Sequence, residues 1–222
     1  MAITMTTYAA EREAMVERQL RRRGIEERPI LDAFLAVPRE AFVSENQAHF
    51  AYGDHPLPIE AGQTISQPYI VALMIQAADI KPGDTVLEVG AGSGYAAAVI
   101  SRIAAKVIGI ERQHELVEVA RERLRRLGYD NVEIVEGDGT RGWTDQAPYD
   151  AILAAASGSH IPETLIAQLA PGGRLVMPLG GPGWVQELVK VTKQEDGVLK
   201  QENLGGVRFV PLIGEEGWKD DA

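Results

Sequence analysis

The chain has 222 residues, of which 45% are hydrophobic and 24% are charged, so it can bury one large core with some length left for an extension. It contains no cysteine, which excludes disulfides and thiolate metal sites, and its four histidines lack close metal-ligand spacing, so we predict no metal. Its net charge of −10 argues against a nucleic-acid partner, because the overall field repels phosphate backbones.

The N-terminal residues carry charges where a signal peptide needs an apolar run. No stretch approaches the roughly 20 consecutive apolar residues that span a bilayer. The lack of cysteine agrees with a reducing compartment. We therefore expect a cytoplasmic protein with no membrane partner, and we expect it to be a monomer.

The first sixty residues are predicted to be helical and irregular. One helix runs from about residue 7 to residue 23 and ends in a basic stretch before Gly24, which can take the left-handed cap position. We interpret this basic stretch as favourable charge at a helix end, with a binding patch as the alternative. A second helix covers residues 29–37, and the proline-rich residues 55–62 are predicted to form no regular element.

Helices and strands then alternate. A helix with an apolar face begins near Ser66, and a Lys-Pro-Gly-Asp turn leads into the first strand. The predicted strands cover 85–90, 106–110, 131–137, 149–156 and 174–180, and the helices between them follow Gly94 or cover 114–128 and 162–170. This alternation predicts an α/β fold with a doubly wound, mainly parallel sheet that is covered by helices on both faces.

The tail changes its period and alternates like a pair of antiparallel strands around a turn at residues 195–197. Trp184 and Trp218 are expected to pack within this part. We therefore predict a single domain in three parts: a helical extension and loop (1–62), a ligand-binding core (63–180), and C-terminal antiparallel strands with a tail (181–222).

A glycine-rich loop, Glu-Val-Gly-Ala-Gly-Ser-Gly-Tyr, joins the first strand to its helix. Glycines at 90, 92 and 94 permit a tight turn and allow the backbone to approach a ligand. The dinucleotide pattern G-x-G-x-x-G would require a small residue at 95, where this chain has tyrosine. The loop therefore matches G-x-G-x-G, which by itself is weak support for a ligand.

Two acidic residues strengthen the interpretation. Glu111 ends the second strand about 20 residues after the first glycine, where a carboxylate can accept hydrogen bonds from a ribose diol. Asp138 follows the third strand, where it could accept from an adenine amino group. Taken alone, Glu111 could be an acid near a helix N-terminus and Asp138 a turn residue. Together they favour an adenosine-bearing ligand at the carboxyl edge of the sheet.

Glu88 distinguishes between two such ligands. It lies in the first strand just before the glycines, within reach of an amino group on the ligand's tail. A pyrophosphate would be repelled by this carboxylate and would want basic partners. S-adenosylmethionine therefore fits better than NAD, although Glu88 could instead pair with a neighbouring backbone or basic group.

Several longer segments resemble one methyltransferase family. The chain is similar to the protein-L-isoaspartate O-methyltransferases in the residues, order and spacing of five segments. These segments are GQTISQPYIVALM, VLEVGAGSGYAAAVI, VIGIERQHELVEVARERL, GDGTRGW and LAPGGRLVMPLG. The segments VPREAFV, AYGDHPLPI and VRFVPLIG also resemble that family, so the similarity covers nearly the whole chain. The Thr-Ile-Ser-Gln-Pro segment is the most distinctive of them.

This resemblance implies a Rossmann-like class I fold and transfer of a methyl group from S-adenosylmethionine to the free α-carboxylate of L-isoaspartyl residues in damaged proteins and peptides. It implies that Ser66 is the active-site serine and that the surrounding loop, with Thr64, Ser66 and Gln67, binds the isoaspartyl carboxylate. The cofactor contacts expected are Ile65, Glu88, Gly90, Ala91, Gly92, Glu111, Asp138 and Gly139. The chain departs from the family at Glu60, at Ala61 and at residues 157–162.

The chemistry explains a serine without an adjoining base. A carboxylic acid with a pKa near 4 is already an anion at neutral pH, so the acceptor needs positioning rather than deprotonation. We expect the Ser66 oxygen to cap the helix that begins at Pro68 while its hydroxyl proton is donated to the carboxylate. Thr64 and the free N–H groups of that helix would add donors.

Two other functions remain open from the sequence. One is a methyltransferase that acts on a small molecule or nucleic acid, although the Asn/Asp-Pro-Pro-Tyr motif of DNA amino-methyltransferases is absent after the fourth strand. The other is a non-catalytic adenosine-binding module, which would bind S-adenosylmethionine but release no S-adenosylhomocysteine. An NAD-dependent dehydrogenase is disfavoured by Tyr95 and Glu88.

Overall fold

The computed structural model describes the backbone of residues 2–220 and the side chains of residues 8–220. Its N-terminal part is helical, as predicted, and consists of α1 (Ala2–Met15), a π-helical turn (Val16–Leu20), a 3-10 turn (Arg21–Arg23) and α2 (Arg28–Ala36). Gly24 has a φ of 92°, so it takes the left-handed cap position expected of it. None of the described helices is long and apolar enough to cross a bilayer.

Residues 55–65 contain a short strand pair that the sequence did not predict. Strand β1 (Leu57–Pro58) pairs antiparallel with β2 (Thr64–Ile65), and Leu57 lies opposite Ile65. The N–H of Ile59 donates to the carbonyl of Gln63 at 2.9 Å and closes the loop between them. The expectation of no regular element at 55–62 was therefore wrong at 57–58. Pro58 is tolerated in this strand because it lies at the edge of a two-residue ladder. The pair fixes the chain immediately before Ser66.

The central sheet has seven strands, followed here in chain order: β3 (Thr85–Val89), β4 (Lys106–Glu111), β5 (Val132–Glu136), β6 (Tyr149–Ala154), β7 (Leu169–Leu179), β8 (Gln186–Lys193) and β9 (Leu199–Val207). Their order across the sheet is β5-β4-β3-β6-β7-β8-β9. The strands β5, β4, β3, β6 and β7 are parallel to one another. Strand β8 then pairs antiparallel with β7, and β9 pairs antiparallel with β8. The mainly parallel sheet and the antiparallel C-terminal pair are thus confirmed.

The helices that follow the extension are α3 (Pro68–Ala78), α4 (Tyr95–Ile100), α5 (His114–Leu127) and α6 (Glu163–Ala167). Side chains alternate along the strands, so each face of the sheet has its own core. Val86 and Val107 belong to the core beneath the N-terminal helices and α3 to α5. Leu87 and Ile108 belong to the opposite core, which includes Leu165 of α6.

The boundaries near residue 170 differ from the prediction. Helix α6 ends at Ala167 rather than at 170, and β7 begins at Leu169 rather than at 174. Tyr149 lies opposite Leu169 whereas Ala151 lies opposite Arg174, so the Pro-Gly-Gly residues form a bulge inside a strand rather than a turn before it. Gly172, with a φ of 75°, permits the bulge.

Candidate active site

A cavity of about 960 Å³ lies at the carboxyl edge of the parallel strands. Ligands bind at this edge in open α/β sheets because the loops after successive strands meet there. Its wall includes residues 62–67, 88–93, 110–113, 183–186 and 206–213, together with residues of α3, α4 and the loops after β5 and β6. We call residues 62–67 the serine segment. This segment and the glycine loop are more than twenty positions apart in the sequence, yet both line the same cavity.

The glycine loop is held by its own hydrogen bonds. The N–H groups of Gly90 and Ala91 both donate to the carbonyl of Ile110, at 2.9 and 3.1 Å. The N–H of Gly92 donates to Oε2 of Glu111 at 3.0 Å. Because these three donors are used within the protein, they are not available to a pyrophosphate. The geometry thus agrees with the preference for S-adenosylmethionine over a dinucleotide.

Gly94 serves a different purpose from the two glycines before it. It has a φ of 85°, and a Cβ there would lie 3.2 Å from Leu124 Cδ1 and 3.4 Å from Ala120 Cβ. Glycine at this position therefore allows α5 to pack closely against the start of α4. Gly90 and Gly92 also have positive φ values, of 84° and 53°, and line the cavity.

Glu88 is a buried carboxylate without a partner on one of its oxygens. Its side chain lines the cavity, is only 3% exposed, and its Oε2 has no hydrogen-bond partner among the described residues. Burial, together with the nearby negative charge of Glu111, raises the pKa of Glu88 to about 8. A buried group in this state gains from a ligand that donates hydrogen bonds, and an ammonium group does so with a compensating charge.

Glu111 lies at the end of β4 and is 7% exposed. Besides the bond from Gly92, its Oε1 accepts the N–H groups of Arg112 and Gln113 at 2.8 and 2.9 Å. Each carboxylate oxygen has further acceptor capacity, and the residue lines the cavity, so it is free to accept ribose hydroxyls.

Asp138 is placed differently from the other predicted cofactor residues. Its Oδ1 accepts the N–H and the hydroxyl of Thr140 at 2.9 and 2.7 Å, and its Oδ2 accepts the N–H of Glu215 at 2.7 Å. Burial opposes its ionisation, but these hydrogen bonds outweigh that effect and lower the pKa of Asp138. Gly139 reaches the cavity wall, whereas Asp138 lines a separate, smaller cavity. Contact of Asp138 with adenine stays a prediction.

Ser66 lies in the cavity wall and is half-buried. The expectation that its side chain caps α3 was wrong. Gln67 occupies the N-cap position, and its carbonyl accepts the N–H groups of Ile70 and Val71. Ser66 therefore precedes the N-cap position by one residue. Within the part of the chain that the structure describes, the Ser66 hydroxyl has no hydrogen-bond partner, which leaves it available to a ligand.

The neighbours of Ser66 differ in how free they are. Thr64 is exposed and Ile65 is buried, and both line the cavity. The side-chain amide of Gln67 donates to the carbonyl and to Oδ1 of Asp54, at 3.1 and 2.7 Å. The Gln67 side chain therefore anchors the serine segment to the extension, and its contact with substrate stays a prediction.

The sequence interpretation missed part of the wall. Residues 206–213 line the cavity, and although VRFVPLIG carried family resemblance, no site role was assigned to it. Trp184, expected to pack in a strand, is 78% exposed in the loop between β7 and β8 and also lines the cavity. The loop's glycines at 180, 181 and 183 could have indicated a surface loop there. Trp218 does pack, and its indole N–H donates to the carbonyl of Ser157 at 2.9 Å.

No cluster of three or more side chains suited to metal binding occurs among the described residues. The polar groups of the cavity are instead carboxylates, hydroxyls, side-chain amides, backbone groups and the side chains of Arg112 and Arg208. This set suits an organic ligand that carries an amine and hydroxyl groups.

Comparison with known proteins identifies close relatives. The family model described as Protein-L-isoaspartate(D-aspartate) O-methyltransferase (PCMT) matches residues 10–217. The chain is 54% identical over 207 residues to Protein-L-isoaspartate O-methyltransferase 2 of Pelobacter propionicus, a match that covers 93% of this chain and 92% of the relative. It is 51% identical over 211 residues to Protein-L-isoaspartate O-methyltransferase of Methanoculleus marisnigri, and 95% of each chain is covered.

Solved structures give the same picture. A protein-L-isoaspartate O-methyltransferase superposes with a TM-score of 0.84 at 32% identity, over 92% of this chain and 66% of that longer chain. A putative protein-L-isoaspartate O-methyltransferase from Plasmodium falciparum, in complex with S-adenosyl-L-homocysteine, superposes with a TM-score of 0.78 at 30% identity. That match covers 90% of this chain and 97% of the other.

Proposed function

Because the chain belongs to the protein-L-isoaspartate(D-aspartate) O-methyltransferase family, we propose that it transfers a methyl group from S-adenosylmethionine to the free α-carboxylate of L-isoaspartyl residues in damaged proteins and peptides. Methylation of this carboxylate begins the repair of the damaged residue to aspartyl. The observation that carries the proposal is that Glu88 Oε2 and the Ser66 hydroxyl, neither of which has a hydrogen-bond partner among the described residues, belong to side chains that line one cavity.

The residues around the glycine loop fit S-adenosylmethionine. Glu88 would bind the ligand's ammonium group, Glu111 the ribose diol, and the segment from Gly90 to Gly92 would lie against the cofactor, with Ile65 and Gly139 at its edges. When bound, S-adenosylmethionine supplies an activated methyl group on a sulfonium.

The serine segment would hold the acceptor. The isoaspartyl carboxylate is ionised at neutral pH, so the protein needs to orient it and to exclude water without protonating it. The Ser66 hydroxyl can donate one hydrogen bond to the carboxylate, and the N-terminus of α3 adds donors with the positive end of the helix dipole. This division of roles requires no general base, and no histidine is among the described residues that line the cavity.

The proposal also covers the location, oligomeric state, substrate class and domain division of the protein. We propose a cytoplasmic monomer that acts on isoaspartyl proteins and peptides and not on nucleic acid, and that consists of the three parts bounded near residues 62 and 180. The absence of cysteine supports the reducing compartment, and the net charge of −10 argues against a nucleic-acid substrate. Light scattering after size exclusion would test the oligomeric state.

The deciding experiment compares two synthetic peptides that are identical except that one has L-isoaspartate where the other has ordinary aspartate. Release of S-adenosylhomocysteine is measured with each, and binding of S-adenosylhomocysteine is measured separately by calorimetry. Turnover on the isoaspartyl peptide alone supports the proposal. Turnover on both peptides, or on neither while the cofactor product still binds, contradicts the proposed substrate.

A further inference from the structure

Arg39 is a fully buried arginine beside the serine segment. It begins a 3-10 turn (Arg39–Phe42) in the N-terminal extension, and its side chain is 0% exposed. Its Nε donates to the carbonyl of Ala51 at 2.8 Å, and its Nη2 donates to the carbonyl of Ser66 at 2.8 Å. The extension therefore reaches the backbone of the proposed active-site serine through one side chain.

The same guanidinium contacts the glycine-loop side of the site. It lies over the ring of Tyr95, 4.8 Å from the ring centroid. Tyr95 is the first residue of α4, follows the glycine loop directly and lines the cavity. Arg39 thus joins the extension, the serine segment and the start of α4, and its planar fork suits such a fixed arrangement.

The charge of Arg39 is not explained by a structural ion pair. In residues 8–220 no carboxylate pairs with it, and its Nη1 has no hydrogen-bond partner. A buried cation without a counterion costs folding free energy. Burial lowers the pKa of Arg39, but arginine stays protonated near neutral pH. A side chain that only filled space would avoid this cost, so a role for the charge is indicated.

We propose that Arg39 is a positioning residue for methyl transfer, one that fixes and polarises the peptide group between Ser66 and Gln67. A hydrogen bond from a cation to the Ser66 carbonyl strengthens the Gln67 N–H of the same peptide group as a donor. That N–H has no backbone partner among the described residues, and Gln67 lines the cavity. Arg39 would thereby set the direction of the Ser66 hydroxyl and favour the acceptor carboxylate. This inference rests on the proposed function.

The test uses Arg39→Lys with Arg12→Lys as its matched control. Arg12 belongs to the same extension, where it donates to Tyr52, Glu40 and the carbonyl of Leu35, and it does not touch the serine segment. We expect Arg39→Lys to lower kcat on the isoaspartyl peptide by roughly 10- to 100-fold while the Kd for S-adenosylhomocysteine changes by less than about threefold. Arg12→Lys should lower the melting temperature with kcat nearly unchanged.

Two further readouts separate positioning from general damage. In a Ser66→Ala background, Arg39→Lys should cost less than it does in the wild-type background, because the part of its effect that acts through the Ser66 hydroxyl is already lost while the part that acts through the Gln67 N–H remains. In Arg39→Ala, free guanidinium at sub-denaturing concentration should restore part of the lost kcat, whereas it should not restore the kcat of Ser66→Ala. If Arg39→Ala does not fold, the Arg39→Lys double-mutant cycle decides the question.

Wild-type turnover on the isoaspartyl peptide is measured first, so that the two proposals can fail separately. No wild-type turnover overturns the proposed function. Wild-type turnover with an unchanged kcat in Arg39→Lys overturns the positioning role alone. A loss of kcat that is fully additive with Ser66→Ala, or that is matched by Arg12→Lys, also overturns it.

Discussion

Glu111 and Gly92 are joined by a hydrogen bond of 3.0 Å, from the backbone N–H of Gly92 to Oε2 of the carboxylate. The other oxygen of Glu111 accepts two backbone N–H groups at the start of the next loop. The side chain proposed to bind the ribose therefore also fixes the glycine loop. One carboxylate couples two parts of the cofactor site.

The first prediction concerns this coupling. Glu111→Gln keeps the size of the side chain but loses its charge and points an amide NH₂ at backbone donors. Since hydrogen bonds to charged groups contribute about 1.5–3 kcal/mol, the Kd for S-adenosylhomocysteine should rise roughly 10- to 100-fold by calorimetry. Glu115→Gln, an exposed glutamate in the first turn of α5, is the control and should bind normally. Unchanged affinity in Glu111→Gln would contradict the ribose role.

The second prediction concerns the pH dependence of folding. Glu88 keeps its proton in the folded protein up to a pKa of about 8, whereas an unfolded glutamate loses it near 4.3. Between these values the folded state binds more protons, so this group's contribution makes the free energy of unfolding fall as pH rises. From about pH 6 to pH 8 the loss should be on the order of 2 kcal/mol in urea denaturation.

Glu88→Gln supplies the comparison, because it lacks the titrating group and should lack this loss. Saturating S-adenosylhomocysteine should also reduce the loss in the wild type, since the ligand's ammonium group favours the ionised carboxylate. Equal pH slopes for wild type and variant would show that Glu88 does not titrate as its surroundings indicate.

The third prediction concerns Glu60, a departure from the family pattern. Its carboxylate forms two hydrogen bonds with Arg123 of α5, at 2.7 and 3.2 Å, and so ties the loop before β2 to the core. Burial opposes its ionisation, but the bonds from Arg123 outweigh that effect and hold the pKa of Glu60 below its usual value. Its contribution to stability is therefore present at neutral pH and is lost as pH falls through that lowered pKa.

Glu60→Gln should destabilise the protein by about 1–3 kcal/mol at neutral pH and raise the KM for the isoaspartyl peptide, because Arg123 loses its charge partner. Glu122→Gln, which breaks the exposed Glu122–Arg125 pair on the same helix, should cost less than about 0.5 kcal/mol. Equal effects of the two substitutions, measured by urea denaturation, would mean that the Glu60–Arg123 pair does not hold the loop.

The parallel strands and the left-handed caps were predictable because their signals are local. Apolar runs between turn residues located β3 to β6, and glycine at 128 ended α5 with a φ of 75°. The pairing of Leu57 with Ile65 was missed because it depends on a partner across a loop and involves a proline. The bulge in β7 was missed for a related reason, since a Pro-Gly-Gly sequence indicates a turn unless a neighbouring strand continues the pairing.

The residues of the site also differ in whether a local sequence pattern indicates them. Glu88, Gly92 and Glu111 follow from a motif with fixed spacing, and the structure brings them to one cavity. Arg39 lies in the VPREAFV segment, but its contact with Ser66 arises only through the packing of the extension, so no local pattern indicates that contact. Asp138 has the expected position in the chain, but the folded C-terminal segment uses its carboxylate through the N–H of Glu215.

The fourth prediction is that Ser66→Ala lowers turnover much more than cofactor affinity. Removal of one hydrogen bond to a charged acceptor should reduce kcat/KM on the isoaspartyl peptide by roughly 10- to 100-fold, while the Kd for S-adenosylhomocysteine stays within about twofold. Ser159→Ala, at an exposed serine that does not line the cavity, is the control. Unchanged kinetics in Ser66→Ala would remove the proposed role of the hydroxyl.

The fifth prediction concerns Trp184, whose exposed indole stands at the rim of the cavity. An apolar residue beside the isoaspartate can cover part of this ring, and burying some tens of Å² of apolar surface contributes about 1 kcal/mol. Trp184→Ala should therefore raise the KM for an isoaspartyl peptide with phenylalanine at the flanking position by about three- to tenfold. The KM for the matched peptide with glycine there should change by less than about twofold, with kcat preserved for both.

Leu199→Ala is the control, because Leu199 is an exposed apolar residue on β9 that does not line the cavity. It should leave both KM values unchanged. An equal rise in KM for the two peptides in Trp184→Ala would mean that the tryptophan shapes the loop rather than contacting the flanking residue. A selective rise would show that a residue outside the family motifs sets the peptide preference of this chain.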